Sequence, residues 1–258
     1  LRSLGMPLIK ALTGVRRCGK SSILALLEEE LLRQGQGKDR ILKVNMESLE
    51  FDAYRDYRSM YLYVKDNLPT GGYFLLDEAQ EVAGWERLVS SLLAEGAIEC
   101  VITGSNAALL SSELGSLLTG RYMEIPVHTL SFPEFRAFSA TNESKSDNAR
   151  EGDSLLPRYL RFGGLPAIHS LGPDDDIAVS YLATLLDSIL LRDVVQRHSI
   201  RDPEALRRIL AFVFDNIGNL TAARRISEYF KSQRRRLSTD TVANYLGFLC
   251  DAFLLHRI

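Results

Sequence analysis

The sequence predicts an α/β fold with a five-stranded, mostly parallel sheet, followed by a helical lid and a helical C-terminal segment. Five apolar, strand-like runs occur in the first half of the chain, and amphipathic helical stretches separate the first four. Strands that alternate with helices favour parallel pairing, with helices on both faces of the sheet. From about residue 199 onward the pattern contains helices without strands. The predicted strands are residues 8–13, 41–46, 73–76, 98–103 and 122–127.

Length, charge and cysteine usage limit the classes of protein. With 258 residues, 46% of them hydrophobic, the chain can bury one large core and a small satellite domain. Its net charge of -2 gives the whole protein no bias toward polyanions. Three distant cysteines and four scattered histidines have neither disulfide nor metal-ligand spacing, which predicts a reducing, cytoplasmic location. No apolar run approaches the ~18 residues of a membrane helix, so no membrane contact is expected. The chain starts without Met and ends in an apolar run, and we expect a fragment of a longer protein.

A phosphate-binding motif lies between the first strand and the first helix. Residues 14–21 read Gly-Val-Arg-Arg-Cys-Gly-Lys-Ser and match G-x-x-x-x-G-K-[ST] in full. Gly14 and Gly19 allow a tight turn whose N–H groups face an anion at a helix N-terminus. Lys20 then reaches the β- and γ-phosphates, and the Ser21 hydroxyl ligates Mg²⁺. The alternative is a chance match in a glycine-rich turn. The predicted binding residues are Gly14, Val15, Arg16, Arg17, Cys18, Gly19, Lys20, Ser21 and Ser22.

Two adjacent carboxylates end the third predicted strand. Residues 73–76 are apolar, and Asp77 and Glu78 follow them directly. Ligands of parallel α/β sheets bind at the carboxyl ends of the strands, so Asp77 is predicted to lie beside the loop and hold the metal. Glu78 points to the other side of the strand and is predicted to polarise an attacking water. The alternative is an ordinary strand end followed by a helix cap.

Three further residues are candidates for catalytic roles. Ser105 and Asn106 follow the fourth strand, where they either sense the γ-phosphate or form a simple turn. Arg121 precedes the fifth strand and is either an arginine finger given to a neighbouring subunit or a solvated loop charge. A finger that acts between subunits would require a homo-oligomer.

Composition divides the chain into four predicted segments. Residues 1–138 form the core, 139–153 a linker or mobile loop, 154–198 a helical lid, and 199–258 an incomplete winged-helix-like domain. The last segment has ten Lys and Arg against six Asp and Glu, about +4, whereas the rest of the chain is about -6. This asymmetry favours nucleic-acid contact without establishing it, since basic helices are often solvated faces. DNA and protein both remain open as its partner.

Five stretches together resemble a known family. They are residues 14–22, 75–80, 103–106, 118–121 and 162–166. In this order they are similar to the large prokaryotic family of AAA+-type ATPases that join a P-loop domain to a winged helix, usually followed by a nuclease-like domain of unknown function. The resemblance implies a strand order of 5-1-4-3-2, ATP as the nucleotide, and the absence of that last domain here. It also implies a finger role for Arg121 and the packing of Pro166 on adenine.

The sequence therefore supports two hypotheses for function. The first is a Mg²⁺-dependent ATPase coupled to a winged-helix effector region, because the adjacent Asp77 and Glu78 suit the activation of water. The second is a nucleotide-gated DNA- or protein-binding module with little hydrolysis of its own. A GTPase is disfavoured, because the chain contains no Asn-Lys-x-Asp sequence for guanine recognition.

Overall fold

A five-stranded sheet forms the centre of the first part of the chain. The computed structural model describes residues 3–105, 118, 120–142, 155–172 and 174–256. The strands are β1 (Ile9–Thr13), β2 (Ile41–Asn45), β3 (Gly72–Asp77), β4 (Ile98–Gly104) and β5 (Tyr122–Pro126). Their order is β2-β3-β4-β1-β5, and all four pairings are parallel. The predicted α/β class and the order 5-1-4-3-2 are confirmed, and each strand lies within about a residue of its predicted range.

The three central strands are buried on both faces, as parallel sheets require. β1 is buried at every position, and β3 and β4 are buried at all but one position each. Most of their side chains are apolar for this reason, although Lys10 of β1, Asp77 of β3 and Thr103 of β4 are buried polar residues. Lys10 in β1 is 1% exposed, and its Nζ donates to Glu99 Oε1 at 2.6 Å and to the Met6 carbonyl oxygen at 2.8 Å. A buried ammonium group is tolerated because both an acid and a carbonyl accept from it.

Helices cover both faces of the sheet. α1 (Lys20–Arg33) buries Leu24, Leu27 and Leu31 in a cluster with side chains of β1, β3 and β4. α2 (Tyr57–Asn67) and α3 (Trp85–Glu95) contribute to the larger cluster that contains Phe74 and Leu76. Short 3₁₀ turns connect these elements at Lys38–Arg40, Leu49–Tyr54 and Ala79–Glu81. The helices that alternate with strands in the sequence therefore form layers on either side of the sheet.

Further helices follow β5. α4 spans Phe132–Asn142, α5 spans Leu155–Phe162, and a 3₁₀ turn covers Pro166–Leu171. Most of the predicted linker, 143–153, lies outside the described residues. By contacts the chain divides into two compact units, Leu1–Ala178 and Val179–Ile258. α6 (Asp175–Ile189) spans the division and continues as a π-helical segment, Leu190–Gln196.

Three helices build most of the second unit. α7 (Pro203–Asp215), α8 (Ala223–Ser232) and α9 (Thr239–Asp251) bury one apolar face each. Asp202 caps α7 by accepting from the Ala205 N–H at 3.0 Å, and Ser238 caps α9 by accepting from the Thr241 N–H at 3.0 Å. Such caps satisfy N–H groups that the helix itself leaves free. The described residues after α9 contain no strand that could serve as a wing.

Candidate phosphate-binding and catalytic site

The loop between β1 and α1 has the backbone that an anion site needs. Gly14 has φ +152°, and a Cβ there would lie 2.1 Å from the Val127 carbonyl oxygen. Only glycine tolerates this close approach of two backbones. Gly19 has φ +113° and precedes α1, whose first N–H groups receive no side-chain cap from it. The N-terminal end of a fourteen-residue helix is thus left open toward the loop, as anion binding requires.

Lys20 is held inside this loop. Its side chain is buried, and Nζ donates to the Gly14 carbonyl oxygen at 2.8 Å and to the Val15 carbonyl oxygen at 3.1 Å. Ser21 and Ser22 follow in the first turn of α1 and are exposed. Carbonyl groups are weaker partners for an ammonium group than phosphate oxygens, because a phosphate oxygen carries a negative charge that attracts the ammonium group. Lys20 is therefore placed to exchange its loop carbonyls for a bound phosphate.

Cys18 and Arg16 belong to the same loop. The Cys18 side chain is buried, and burial raises the pKa of its thiol, so at neutral pH it is a neutral group. Arg16 Nη1 forms an ion pair with Glu47 Oε1 at 3.1 Å. Glu47 lies just after β2, so this ion pair connects the loop to the segment that follows an edge strand of the sheet.

The acid pair lies at the end of β3, as predicted. Asp77 is buried, and its Oδ1 accepts from Thr103 Oγ1 at 2.5 Å. The same hydroxyl oxygen accepts from the Glu78 N–H at 2.9 Å. Thr103, fully buried on β4, therefore holds both acids at once. Sequence reasoning missed this residue, although β3 and β4 pair in parallel and Leu76 is opposite Ile102, which makes Thr103 the neighbour of Asp77.

Glu78 has an unusual backbone and a buried side chain. Its φ of +56° lies in the left-handed region, which is uncommon for a residue with a side chain and is often found at functional sites. Burial raises the pKa of its carboxyl group, while a hydrogen bond from Gln80 and the positive charges of Lys20 and Arg16 oppose that rise. Glu78 is thus a buried acid close to the phosphate loop, and its carboxylate could act as a general base that takes a proton.

The other candidate residues lie in different places. Ser105 follows β4 and is 1% exposed, and its Oγ has no hydrogen-bond partner among the described residues. Asn106 lies outside the described residues. Arg121 is exposed, and its carbonyl oxygen accepts from the Ile9 N–H at 2.9 Å, at the start of β1. The phosphate loop follows the end of that five-residue strand, about 16 Å away along it. The structure therefore does not bring Arg121 to the loop of its own chain.

A large apolar cavity lies next to the loop in the first unit. Its volume is about 760 Å³, and Cys18, Gly19 and Ser22 contribute to its wall. Apolar side chains of β1, β4, β5 and α1 also contribute to the wall, together with residues 127–131 after β5, and Pro166 is part of the lining. The lining includes Leu12, Val101, Ile125, Ile23, Leu26 and Leu27. A cavity of this size and polarity accommodates a flat, mainly apolar group such as a nucleobase.

The described ranges contain no cluster of three or more His, Cys, Asp or Glu able to hold a metal ion. Mg²⁺, however, is usually bound by one or two protein oxygens together with phosphates and water. Ser21 and Asp77 fit that requirement beside a phosphate site. Within the same ranges no helix is long and apolar enough to span a membrane.

The loop, the acid pair and the strand order together define the class of P-loop ATPases. Residues 7–136, half of the chain, match the family described as an AAA domain, and the chain belongs to that family. Residues 153–258 match a domain of unknown function, DUF8612. The fold class and the family that the sequence predicted are therefore both confirmed.

Several known proteins are similar to this chain. An uncharacterized protein of Haemophilus influenzae is 36% identical over 252 residues, covering 96% of this chain and 62% of its own length. The uncharacterized protein MJ1544 of Methanocaldococcus jannaschii is 31% identical over 255 residues, covering 96% of this chain and 55% of its own. The chain thus spans little more than half the length of these relatives. The structure of a Walker-type ATPase of Pyrococcus abyssi superposes with a TM-score of 0.64 at 14% identity, covering 96% of this chain and 85% of that one. That similarity is one of fold.

Proposed function

We propose that this protein binds ATP at residues 14–22 and hydrolyses it with Mg²⁺. The observation that carries the proposal is the position of Lys20, whose buried ammonium group is held at 2.8 Å on the Gly14 carbonyl oxygen beside the open N-terminus of α1. The phosphates would replace these carbonyls, and Ser21 and Asp77 would hold the metal. The adenine base of ATP would enter the cavity that Pro166 lines. Bound Mg²⁺ would neutralise charge on the phosphate oxygens.

The acid pair supports hydrolysis beyond binding alone. In the proposed step the oxygen of a water forms a bond to the γ-phosphorus, and the bond between that phosphorus and the bridging oxygen breaks. ADP leaves with the electron pair, and Glu78 takes the proton of the water. Lys20 stabilises negative charge that develops on the phosphoryl oxygens. Ser105, whose buried hydroxyl has no partner among the residues that the structure describes, and Asn106, its neighbour in the sequence, are proposed to sense the γ-phosphate.

Single-turnover hydrolysis tests this function against its alternative. With protein in excess over radiolabelled ATP and with Mg²⁺ present, we expect release of phosphate both with and without duplex DNA. A nucleotide-gated binding module would instead hold ATP intact over many minutes, with or without DNA. ATP that stays bound and uncleaved would therefore favour the module over the ATPase.

Arg121 is proposed to act on the nucleotide of a neighbouring subunit. It is exposed and lies at the opposite end of β1 from its own phosphate loop. A finger on that side of the sheet can contribute only to a site on another chain. This part of the proposal requires an assembly that forms with ATP.

Mixing two inactive variants tests the role of Arg121. An Arg121→Ala chain keeps its phosphate loop, and a Lys20→Ala chain keeps its arginine, so a mixed assembly should regain part of the ATPase activity. Arginine fingers contribute about 10³–10⁵ in rate, which makes recovery easy to detect in a phosphate-release assay.

The matched control replaces the second chain by one with both substitutions, and this mixture should stay inactive. A solution mass that remains monomeric in ATP, together with no recovery in the first mixture, would argue against a finger between subunits.

The second unit is proposed to be the effector region. Arg234, Arg235 and Arg236 are exposed between α8 and α9, and Thr239 and Asp240, which begin α9, are exposed as well. Basic side chains next to an exposed helix start suit phosphates that flank a groove of DNA. The alternative partner for this surface is a protein.

Salt-dependent binding of duplex DNA separates these partners. If Arg234, Arg235 and Arg236 contact phosphates, changing all three to Ser should weaken binding at low salt and reduce the slope of log affinity against log salt by about 3. Labelled duplex would be titrated at low and physiological salt.

The control variant changes Arg33, Lys38 and Arg58 to Ser, because these exposed residues of the first unit alter the net charge equally. Equal binding by both variants and the wild type would remove residues 234–236 from a DNA interface. No binding by any of them, even at low salt, would favour a protein partner.

A further inference from the structure

Gln80 touches the proposed catalytic acid directly. It lies in the 3₁₀ turn Ala79–Glu81, and its Nε2 donates a hydrogen bond to Glu78 Oε2. An ionised carboxylate only accepts hydrogen bonds, so the amide nitrogen is the atom that must face Glu78. The orientation of the amide is thereby fixed, and Gln80 Oε1 is left on its other side.

Gln80 Oε1 is buried and has no hydrogen-bond partner among the described residues. Buried polar atoms nearly always have partners, and an exception calls for an explanation. The acid beside this atom is held at two points, since Thr103 Oγ1 accepts from the Glu78 N–H and Gln80 holds the carboxylate. A second buried atom without a described partner, Ser105 Oγ, lies just beyond β4, the strand next to the one that ends in Asp77. Beyond the ends of the adjacent strands β3 and β4, two buried polar atoms thus have no partner among the described residues.

We propose that Gln80 positions the water that attacks the γ-phosphate. With ATP bound, the Gln80 side chain would shift enough to bring Oε1, buried as described above, against the water, and Oε1 would accept a hydrogen bond from one O–H of the water while Glu78 takes the proton of the other O–H. The oxygen lone pair then points at phosphorus, and the proton count is unchanged from the hydrolysis step above. This inference rests on the proposed ATPase function, and it makes Gln80 a positioning residue that acts through water and through Glu78.

The contact has a second consequence for Glu78. The hydrogen bond from the amide restrains the orientation of the Glu78 carboxylate. Loss of the amide would leave both the attacking water and the Glu78 carboxylate without a fixed position, while the contacts of the loop with the phosphates would stay. We therefore expect a defect in the chemical step and not in the binding of ATP.

Gln80→Met is the test variant, because methionine keeps the length of the side chain and removes both hydrogen-bonding atoms. We expect kcat to fall about 10²-fold, the loss typical of a misplaced reactant, with KM and calorimetric ATP affinity within about twofold of wild type. Affinity for ADP with aluminium fluoride and Mg²⁺, which imitates the transferring phosphoryl group, should fall by a similar factor to kcat. Gln80→Asn, which keeps an amide, should recover part of both losses.

Gln34→Met is the matched control. Gln34 Nε2 also donates to a glutamate, Glu30 Oε1 at 2.7 Å, but this pair is exposed at the end of α1. It should leave every readout unchanged. Thermal unfolding of both variants checks the fold.

Three results would overturn the inference. If the wild type hydrolyses ATP and Gln80→Met keeps its kcat, Gln80 does not position water, while the ATPase function stands. A lower kcat with unchanged affinity for the aluminium fluoride complex would assign Gln80 to a step other than chemistry. A wild type that binds ATP and never cleaves it would remove the ATPase function and this inference together.

Discussion

Replacing Lys20 with alanine is expected to abolish measurable binding of ATP. The ammonium group is buried on the carbonyls of Gly14 and Val15, and it would make charge-assisted hydrogen bonds to the phosphates. Two such bonds, at about 1.5–3 kcal/mol each, correspond to a loss of roughly 10²–10⁴ in affinity. Isothermal titration calorimetry with ATP and Mg²⁺ measures this directly.

Lys38→Ala is the control for the removal of a positive charge. Lys38 is exposed in the 3₁₀ turn before β2, so its loss should not change ATP affinity. Thermal unfolding of the Lys20 variant separates a lost ligand from a damaged loop. Unchanged affinity in a folded Lys20→Ala protein would refute the role given to Lys20.

Glu78→Gln is expected to keep ATP affinity and to lose about 10²–10⁴ of the turnover rate. The amide has almost the same shape as the carboxyl group but cannot take up the proton of water. Because Lys20 Nζ donates to the carbonyls of Gly14 and Val15 and not to Glu78, the substitution is expected to leave Lys20 in its place in the loop. The measurement combines steady-state release of phosphate with calorimetry.

Glu81→Gln is its matched control. Glu81 is the next acid along the chain, and it forms an ion pair with Arg55 Nη1 at 3.2 Å. Its variant should hydrolyse ATP at the wild-type rate. If Glu78→Gln also stays within about threefold of wild type, Glu78 is a structural acid and another group must act as the base.

Much of the fold follows from local sequence patterns. Buried parallel strands need continuous apolar runs, and these runs located all five strands. The glycine at position 14 could also be predicted, because the loop motif demands a backbone that only glycine accepts there. The place of the acid pair followed from the rule that parallel sheets bind ligands at the carboxyl ends of their strands.

The contacts that tune the site could not be read from the sequence alone. Thr103 lies 26 residues from Asp77, and its contact with both acids depends on the pairing of β3 with β4. The left-handed backbone of Glu78 and its hydrogen bond to Gln80 have no signal in composition or periodicity. Lys10 is a further example, since a lysine in a buried strand is stable only because Glu99 and the Met6 carbonyl accept from it.

The distant position of Arg121 is a consequence of topology. Its place before β5 was clear from the sequence, but only the parallel pairing of β1 with β5 puts it at the opposite end of the sheet from the loop. Arg121 therefore belongs to the series of sequence motifs but lies far from the phosphate loop of its own chain. An assembly in which Arg121 reaches the nucleotide of another chain remains a prediction.

The central claim is that the loop at residues 14–22 and the end of β3 form one ATP site. A crystal structure with a non-hydrolysable ATP analogue and Mg²⁺ tests it most directly. We predict that Lys20 Nζ leaves the Gly14 carbonyl for a phosphate oxygen, that the metal lies between Ser21 and Asp77, and that the base occupies the cavity beside Pro166. A nucleotide bound elsewhere, with Lys20 still on its loop carbonyls, would contradict the assignment.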